Sequence, residues 1–261
     1  MTVSGKSLQH FGMIGNAKTA ALIGERGSLE WLCWPDFDSE ACFAALLGSE
    51  DNGCWTLAPD AHKSVRRRYL PGTLVLQTTY TRAFGATVTI TDFMPVGGKT
   101  STVIRNVRCS KGRMRMRTRF APRFDYGSAQ PRLDQRAGNC WSAVVGPQRL
   151  MMHSNVPMQL RDGDLVGDWN IAAGDFHFFT LQHSHAYMDP EPGELDPAKL
   201  EQDTIDHWGK WSERSTYKGR YKNTVDRSLL TLKALTNSAS GGYVAAPTTS
   251  LPEKVGRAVR H

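Results

Sequence analysis

Apolar and polar positions alternate in short runs along the first 185 residues, and turn residues separate the runs. Residues 19–23 (Thr-Ala-Ala-Leu-Ile) and 28–33 (Ser-Leu-Glu-Trp-Leu-Cys) flank Gly24-Glu25-Arg26-Gly27. Two β-compatible runs joined by a loop bearing glycine predict a hairpin. Residues 41–47 predict a helical turn or two. Further strands are predicted at 74–82, 86–93, 101–109 and 113–120, and weaker ones at 140–146, 149–153, 165–171 and 176–185. Leu70-Pro71-Gly72, Pro95-Val96-Gly97-Gly98, Lys111-Gly112 and Arg161-Asp162-Gly163 punctuate them. Short strands at this spacing predict a mainly β fold, a large antiparallel β-sandwich. After His185 the period changes. Pro197 suits a first helical turn capped by Asp196, and the helix is expected to run to about Ser212. A second helix is expected from about Lys222 to Leu235. Val225, Leu229 and Leu232 give it an apolar stripe, with Leu230 and Leu235 beside it. Such a stripe must lie on the sandwich, pack on another chain, or stay partly exposed.

With 261 residues the chain can form one large sandwich or two small domains. No run of 18 apolar residues is present, so no membrane-spanning helix is expected. The first residues lack the apolar stretch of a secretory signal, and the expected location is the cytoplasm. Cys33, Cys42, Cys54, Cys109 and Cys140 form no CxxC pair and read as buried free thiols. The net charge of +7 comes largely from Arg66-Arg67-Arg68 and from Arg113, Arg115, Arg117 and Arg119. The second set alternates with Met114, Met116, Thr118 and Phe120, as a half-buried strand with one wet face requires. It is therefore read as a solvated ladder that also discourages edge pairing. No exposed-aromatic pattern accompanies it, so no nucleic-acid partner is expected.

Several stretches, in order, resemble glycoside hydrolase family 15, the bacterial glucoamylase and trehalase-like enzymes. They are residues 14–23, residues 27–39 (Gly-Ser-Leu-Glu-Trp-Leu-Cys-Trp-Pro-Asp-Phe-Asp-Ser), 69–78, 91–95, 121–127 (Ala-Pro-Arg-Phe-Asp-Tyr-Gly), 217–221 and 227–235. Residues 243–253, ending in Leu-Pro-Glu, also resemble the segment that leads into the catalytic half. The resemblance covers about residues 10–255. It implies an N-terminal β-sandwich over 8–190, then a linker helix and the first helix of an (α/α)6 barrel over 197–253, and a divergent tail over 254–261. The implied activity is hydrolysis of α-glucosides with inversion: maltooligosaccharides, starch ends or trehalose. Glucoamylase-like and trehalase-like specificity are both left open.

Inversion needs one carboxylic acid and one carboxylate on the order of 6.5–9.5 Å apart. By the resemblance both come from barrel loops beyond the matched segment. No catalytic residue is assigned here, and the chain by itself is expected to be inactive, a front part interrupted near Gly256. The alternative is a non-catalytic module that binds carbohydrate or a separate barrel. The cleft candidates are Trp34, Asp36, Phe37, Asp38, Thr248, Thr249, Ser250 and Glu253. Asp36 and Asp38 either share a strand face as paired carboxylates or cap the turn after Trp34-Pro35. Glu253 reads as a loop-orienting residue. Expected partners are an α-glucoside or oligosaccharide once a barrel is present, and a second copy or another chain through the 222–235 helix. No cofactor is implied. His177, His183 and His185 lack companions for a metal set and read as surface or packed histidines. Trp31, Trp34, Trp55 and Trp141 read as core, and Trp208 and Trp211 as pins holding the linker helix to the sandwich.

Overall fold

The computed structural model describes residues 8–98, 100–188 and 195–244. Among them are sixteen strands and two α-helices. The strands before the first long hairpin are β1 (Gly12–Gly15), β2 (Ala20–Ile23), β3 (Ser28–Cys33), β4 (Ala41–Phe43), β5 (Cys54–Pro59) and β6 (Ser64–Tyr69). Next come β7 (Leu76–Thr81), β8 (Thr87–Phe93), β9 (Thr102–Lys111) and β10 (Arg113–Ala121). The last six are β11 (Arg132–Gln135), β12 (Cys140–Val145), β13 (Gln148–Ser154), β14 (Gln159–Arg161), β15 (Asp164–Ala172) and β16 (Phe176–His185). The helices are α1 (Pro197–Ser212) and α2 (Lys222–Ala234).

The strands form two antiparallel sheets. One runs β1-β2-β3-β5-β10-β15-β14, with β4 paired to β3; the other runs β11-β12-β13-β16-β9-β8-β7-β6. Their inner faces share one core. In it Trp55 meets Phe120 edge-on at 5.7 Å and Phe179 at 6.2 Å, while its indole N–H donates to Thr118 Oγ1 at 3.1 Å. A buried ion pair lies in the same core, and its arginine reaches across it. Arg105 on β9 donates to Asp92 Oδ1 (2.8 Å) within its sheet, and to the Trp55 and Gly27 carbonyls (2.9 and 2.7 Å) of the facing one. The side chains of Arg105 and Asp92 are 0% and 1% exposed. Gly27 is required there: its φ is +71°, and a Cβ would stand 2.3 Å from the Leu57 carbonyl oxygen.

β9 is buried on both faces because α1 covers its outer side. Leu200 and Ile205 of α1 pack against Val75, Phe93 and Ile104. Glu201 accepts hydrogen bonds from Asn106 Nδ2 and Arg108, each at 2.6 Å. Asp196 caps the helix by accepting from the amides of Ala198 and Lys199. Trp208 then joins Leu74, Leu230 and Ala234 in a second small core, with Trp211 against it, so both tryptophans pin the helices to the sandwich as expected.

Several expectations need correction. Residues 41–47 form strand β4 and then a single 3-10 turn at Ala45–Leu47. The arginine series on β10 is not an edge device, because β10 lies between β5 and β15. Its guanidiniums pair with neighbouring carboxylates instead: Arg115 with Asp168, Arg117 with Asp60, and Arg119 with Glu50 and Asp164. The face that docks α2 is also shifted from the predicted stripe. Leu230 and Ala234 face inward, Arg227 donates to the Thr73 carbonyl and lies 4.1 Å from the Tyr69 ring, and Leu229 and Leu232 remain exposed. No helix among the described residues is long and apolar enough to cross a membrane.

Candidate functional site

The 34–40 loop joins β3 to β4 and closes on itself. The Trp34 amide donates to the Glu40 carbonyl (3.4 Å), and the Ser39 amide to that of Asp36 (3.2 Å). The Asp36 amide donates to Ser39 Oγ at 3.1 Å. Asp36 and Asp38 therefore sit in a turn and do not share a strand face. Asp38 is exposed, and Asp36 and Phe37 are half-buried. The Trp34–Pro35 peptide is cis. Trp34 points inward, 3% exposed, and its ring lies 6.2 Å from that of His183 on β16. His183 bonds Gln148 Oε1 through Nε2. Burial, and then the neighbouring His185, push its pKa down to about 4.

The outer side of this loop is a different surface. Trp31, expected in the core, is half-buried on the outside, against Cys33, Ala41 and Ala44. Tyr126 lies over it at 6.2 Å with the rings tilted by 43°. Local backbone conformation puts it there. Asp125, Tyr126 and Gly127 all have positive φ (49°, 55° and 104°), a costly conformation for the two non-glycines. A Cβ at position 127 would lie 2.8 Å from Asn52 Cα, so glycine lets the turn close on that residue. Asn52 Nδ2 then donates to the Tyr126 carbonyl (3.3 Å), and Ser128 Oγ to Asp125 Oδ2 (2.6 Å). Tyr126 is left 43% exposed.

Two carboxylates, Glu40 and Asp125, act on this aromatic pair. Partial burial raises the Tyr126 phenol pKa, and the neighbouring Cys33, Glu40 and Asp125 raise it further. Burial and then Asp38 push the Cys33 thiol up to about 11, so it remains protonated. Trp31 and Tyr126, with Asp38, Glu40 and Asp125, thus combine exposed ring surface with hydroxyl-accepting oxygens. That combination can stack on the C–H face of a polyhydroxylated ring and hold its hydroxyls. Sequence reasoning did not assemble this group; the match at 121–127 was the available signal.

The turn after α2 reaches the same region. Asn16 Oδ1 accepts from the amides of Lys18 and Thr19, holding Ala17 at φ +64°. The Ala17 carbonyl accepts from the Ser238 amide (2.7 Å), and Thr19 Oγ1 donates to the Cys33 carbonyl (2.5 Å). The chain leaving α2 is thereby tied to the strand end from which the 34–40 loop starts. Thr248, Thr249, Ser250 and Glu253 lie outside the described residues. Among the described residues no cluster of three or more His, Cys, Asp or Glu could hold a metal ion.

Residues 3–178 match a family described as trehalase-like, N-terminal. The chain belongs to this trehalase-like N-terminal family. It is 31% identical over 273 residues to a trehalase of Thermoplasma volcanium, covering 98% of this chain and 42% of that protein. A trehalase of Thermoplasma acidophilum is 32% identical over 252 residues (90% and 41%). One of Mycolicibacterium smegmatis is 28% identical over 271 residues (93% and 40%). The trehalase-like chain therefore spans about two-fifths of the length of these curated relatives. Its two antiparallel sheets and small helical part agree with the sandwich that the resemblance implied.

Proposed function

We propose that this chain is the sandwich part of an inverting α-glucosidase of the trehalase-like group, with trehalose as the first substrate to test. The outer side of the 34–40 loop serves as a sugar-facing wall, and α1 and α2 begin the helical barrel. The observation that carries this reading is the Trp31–Tyr126 pair, set beside Glu40 and Asp125, with Asp38 acting on the adjacent Cys33, and tied to the segment that follows α2. The two carboxyl groups of inversion belong to the barrel in this reading, so the sandwich alone performs no hydrolysis. Buried reduced thiols at Cys33, Cys42, Cys54 and Cys109 support a cytoplasmic setting.

The test is a chimaera in which this chain replaces the matching part of the Thermoplasma volcanium trehalase. It should release glucose from trehalose, whereas the chain alone should release none. Trp31→Ala with Tyr126→Ala should raise KM about tenfold, a loss of about 1.4 kcal/mol in binding. A folded chimaera that cleaves no α-glucoside would sink the reading. Glucose release by the chain alone would sink the assignment of both carboxylates to the barrel.

A second reading rests on the exposure of Leu229 (37%) and Leu232 (52%) on α2. In it the chain is a module that recruits a separately folded helical partner or a second copy. Analytical ultracentrifugation of the wild type and of a Leu229→Ser, Leu232→Ser variant would test the self-association arm.

A further inference from the structure

The end of the sandwich away from the 34–40 loop carries a different surface. β16 runs between the two ends, from Phe176 beside Arg108 to His183 beside Trp34. Three turns meet at the Phe176 end. They are residues 82–86 between β7 and β8, Lys111-Gly112 at the β9–β10 hairpin, and residues 173–175 between β15 and β16. Backbone bonds join the last two: the Ala173 amide donates to the Gly112 carbonyl (2.9 Å), and the Gly174 amide to that of Cys109 (3.0 Å). A Cβ on Gly112 would stand 2.7 Å from Ala86 Cβ, so the first two turns touch.

Phe84 tips the first turn and is 104% exposed. Its φ is +65°, a conformation that a bulky side chain rarely adopts. The turn is closed beneath it by the Gly85 amide donating to the Arg82 carbonyl (3.1 Å) and the Arg82 amide to that of Ala86 (2.8 Å). The ring gains nothing from packing there, and the backbone would sit better with glycine or asparagine. Strain retained under an unpacked aromatic calls for a role outside the fold. Cations stand around it. Arg82 opens the turn. Lys111 Nζ would lie 3.2 Å from a Cβ on Gly85, so the ammonium rests against the same turn. Arg113 begins the next strand, and the Lys63 amide is bonded to the Thr81 carbonyl (2.8 Å). All four are exposed, and none forms an ion pair among the described residues. Arg115, Arg117 and Arg119, farther along β10, do pair with carboxylates. The carboxylate of the third turn, Asp175, already accepts from the Ala172 amide (2.8 Å).

We propose that this end of the sandwich docks on an anionic lipid bilayer, with Phe84 entering the headgroup region and the cations meeting lipid phosphates and carboxylates. Affinity for such a surface grows with the apolar area inserted and with attraction to anionic lipid, and the tip supplies both at one point. A bilayer also needs no pocket shaped to the ring. A lone ring of about 200 Å2 is small against the about 800 Å2 per partner of a stable protein interface. Single-stranded nucleic acid calls for a groove that follows its backbone and for several stacking rings, whereas this end is a convex tip with one. The leaflet facing the cytoplasm carries the anionic lipid required. The 34–40 loop lies at the other end and stays open when the tip is docked.

The test floats the full chain with phosphatidylcholine vesicles, with and without about 30% phosphatidylserine. The chain should bind the anionic vesicles alone, and at least about tenfold more weakly when salt rises from about 0.1 to 0.5 M. Phe84→Ser should weaken binding about tenfold, and Phe84→Trp should retain it. Arg82→Gln with Lys111→Gln should weaken it about 25-fold, about fivefold for each cation. The urea midpoint should stay unchanged in every variant, since all these side chains are exposed. No binding to the anionic vesicles, or equal binding to the neutral ones, would overturn the proposal. Binding unmoved by Phe84→Ser would trace it to the net charge of +7 alone and overturn it equally. A DNA oligonucleotide that binds more tightly and strips the chain from the vesicles would assign the surface to nucleic acid instead.

Discussion

Replacing Arg105 tests the central tie of the sandwich. Its guanidinium makes three charge-assisted bonds, one to Asp92 and two to backbone carbonyls across the core. Each such bond contributes about 1.5–3 kcal/mol in favourable cases. Their sum overstates the loss, because folding also strips water from the cation. The dominant cost lies in what stays behind. Arg105→Met leaves the Asp92 carboxylate sealed in the core with no counter-ion, and its Oδ2 already lacks a partner. Breaking one side of a buried pair costs about 3–5 kcal/mol, whereas replacing both sides with apolar groups is often neutral. The expected loss is therefore about 4 kcal/mol for Arg105→Met, and a similar loss for Asp92→Leu, which strands the cation. With a urea slope of about 3 kcal/mol/M, each midpoint falls by about 1–1.5 M. The double variant should recover to within about 2 kcal/mol of the wild type, far from the sum of the single losses. Urea unfolding followed by circular dichroism and tryptophan fluorescence measures all four corners of the cycle. Single losses under about 1 kcal/mol, or an additive double variant, would refute the claim that this buried pair, through Arg105, holds the core together.

The pH dependence of stability should carry a signature of His183. Its folded pKa, about 4, lies below the ordinary 6.5, so the unfolded chain binds the extra proton first. Stability is then full above about pH 6.5 and declines as pH falls toward 4. His183→Gln should flatten that part of the urea-midpoint profile, and an unchanged slope would exclude the residue as the cause. Glu201→Ala removes the acceptor shared by Asn106 and Arg108, at an expected cost of about 1–3 kcal/mol. Amides of α1 should then exchange faster in hydrogen-exchange measurements, and unaltered exchange over 197–212 would count against this anchor. Tyr126→Gly relieves a left-handed non-glycine conformation worth about 1 kcal/mol. Its urea midpoint should not fall, although the chimaera's KM should rise; a marked fall would mean that Tyr126 is there for packing.

How much of this was legible in the sequence depended on whether a residue's role was local. The hairpin at 24–27, the strands from 74 to 120 and the Asp196 cap follow from turn chemistry and period, and all are present. β6 escaped because Ser-Val-Arg-Arg-Arg-Tyr carries no apolar alternation. It is held by its ladder to β7, and by Arg67 donating to the carbonyls of Ile23 and His10. Arg105 shows the limit more sharply. Alternation along β9 separates Ile104 from Arg105 but does not say which face is inside, and ordinary hydropathy would turn the arginine outward. Two long-range facts reverse that assignment: α1 covers Ile104, and carbonyls of the opposite sheet stand ready for the guanidinium. The candidate site divides in the same way. The 34–40 loop was found because its residues are contiguous. Its outer wall was not, because Trp31 and Tyr126 are far apart in sequence and meet through a run of three positive-φ residues. Only Gly127 announces that run in the sequence. The two non-glycines before it hold a conformation that the surrounding contacts must stabilise. Strain retained beside an exposed aromatic is the physical reason to look for a ligand on this surface before any other part of the 34–40 loop.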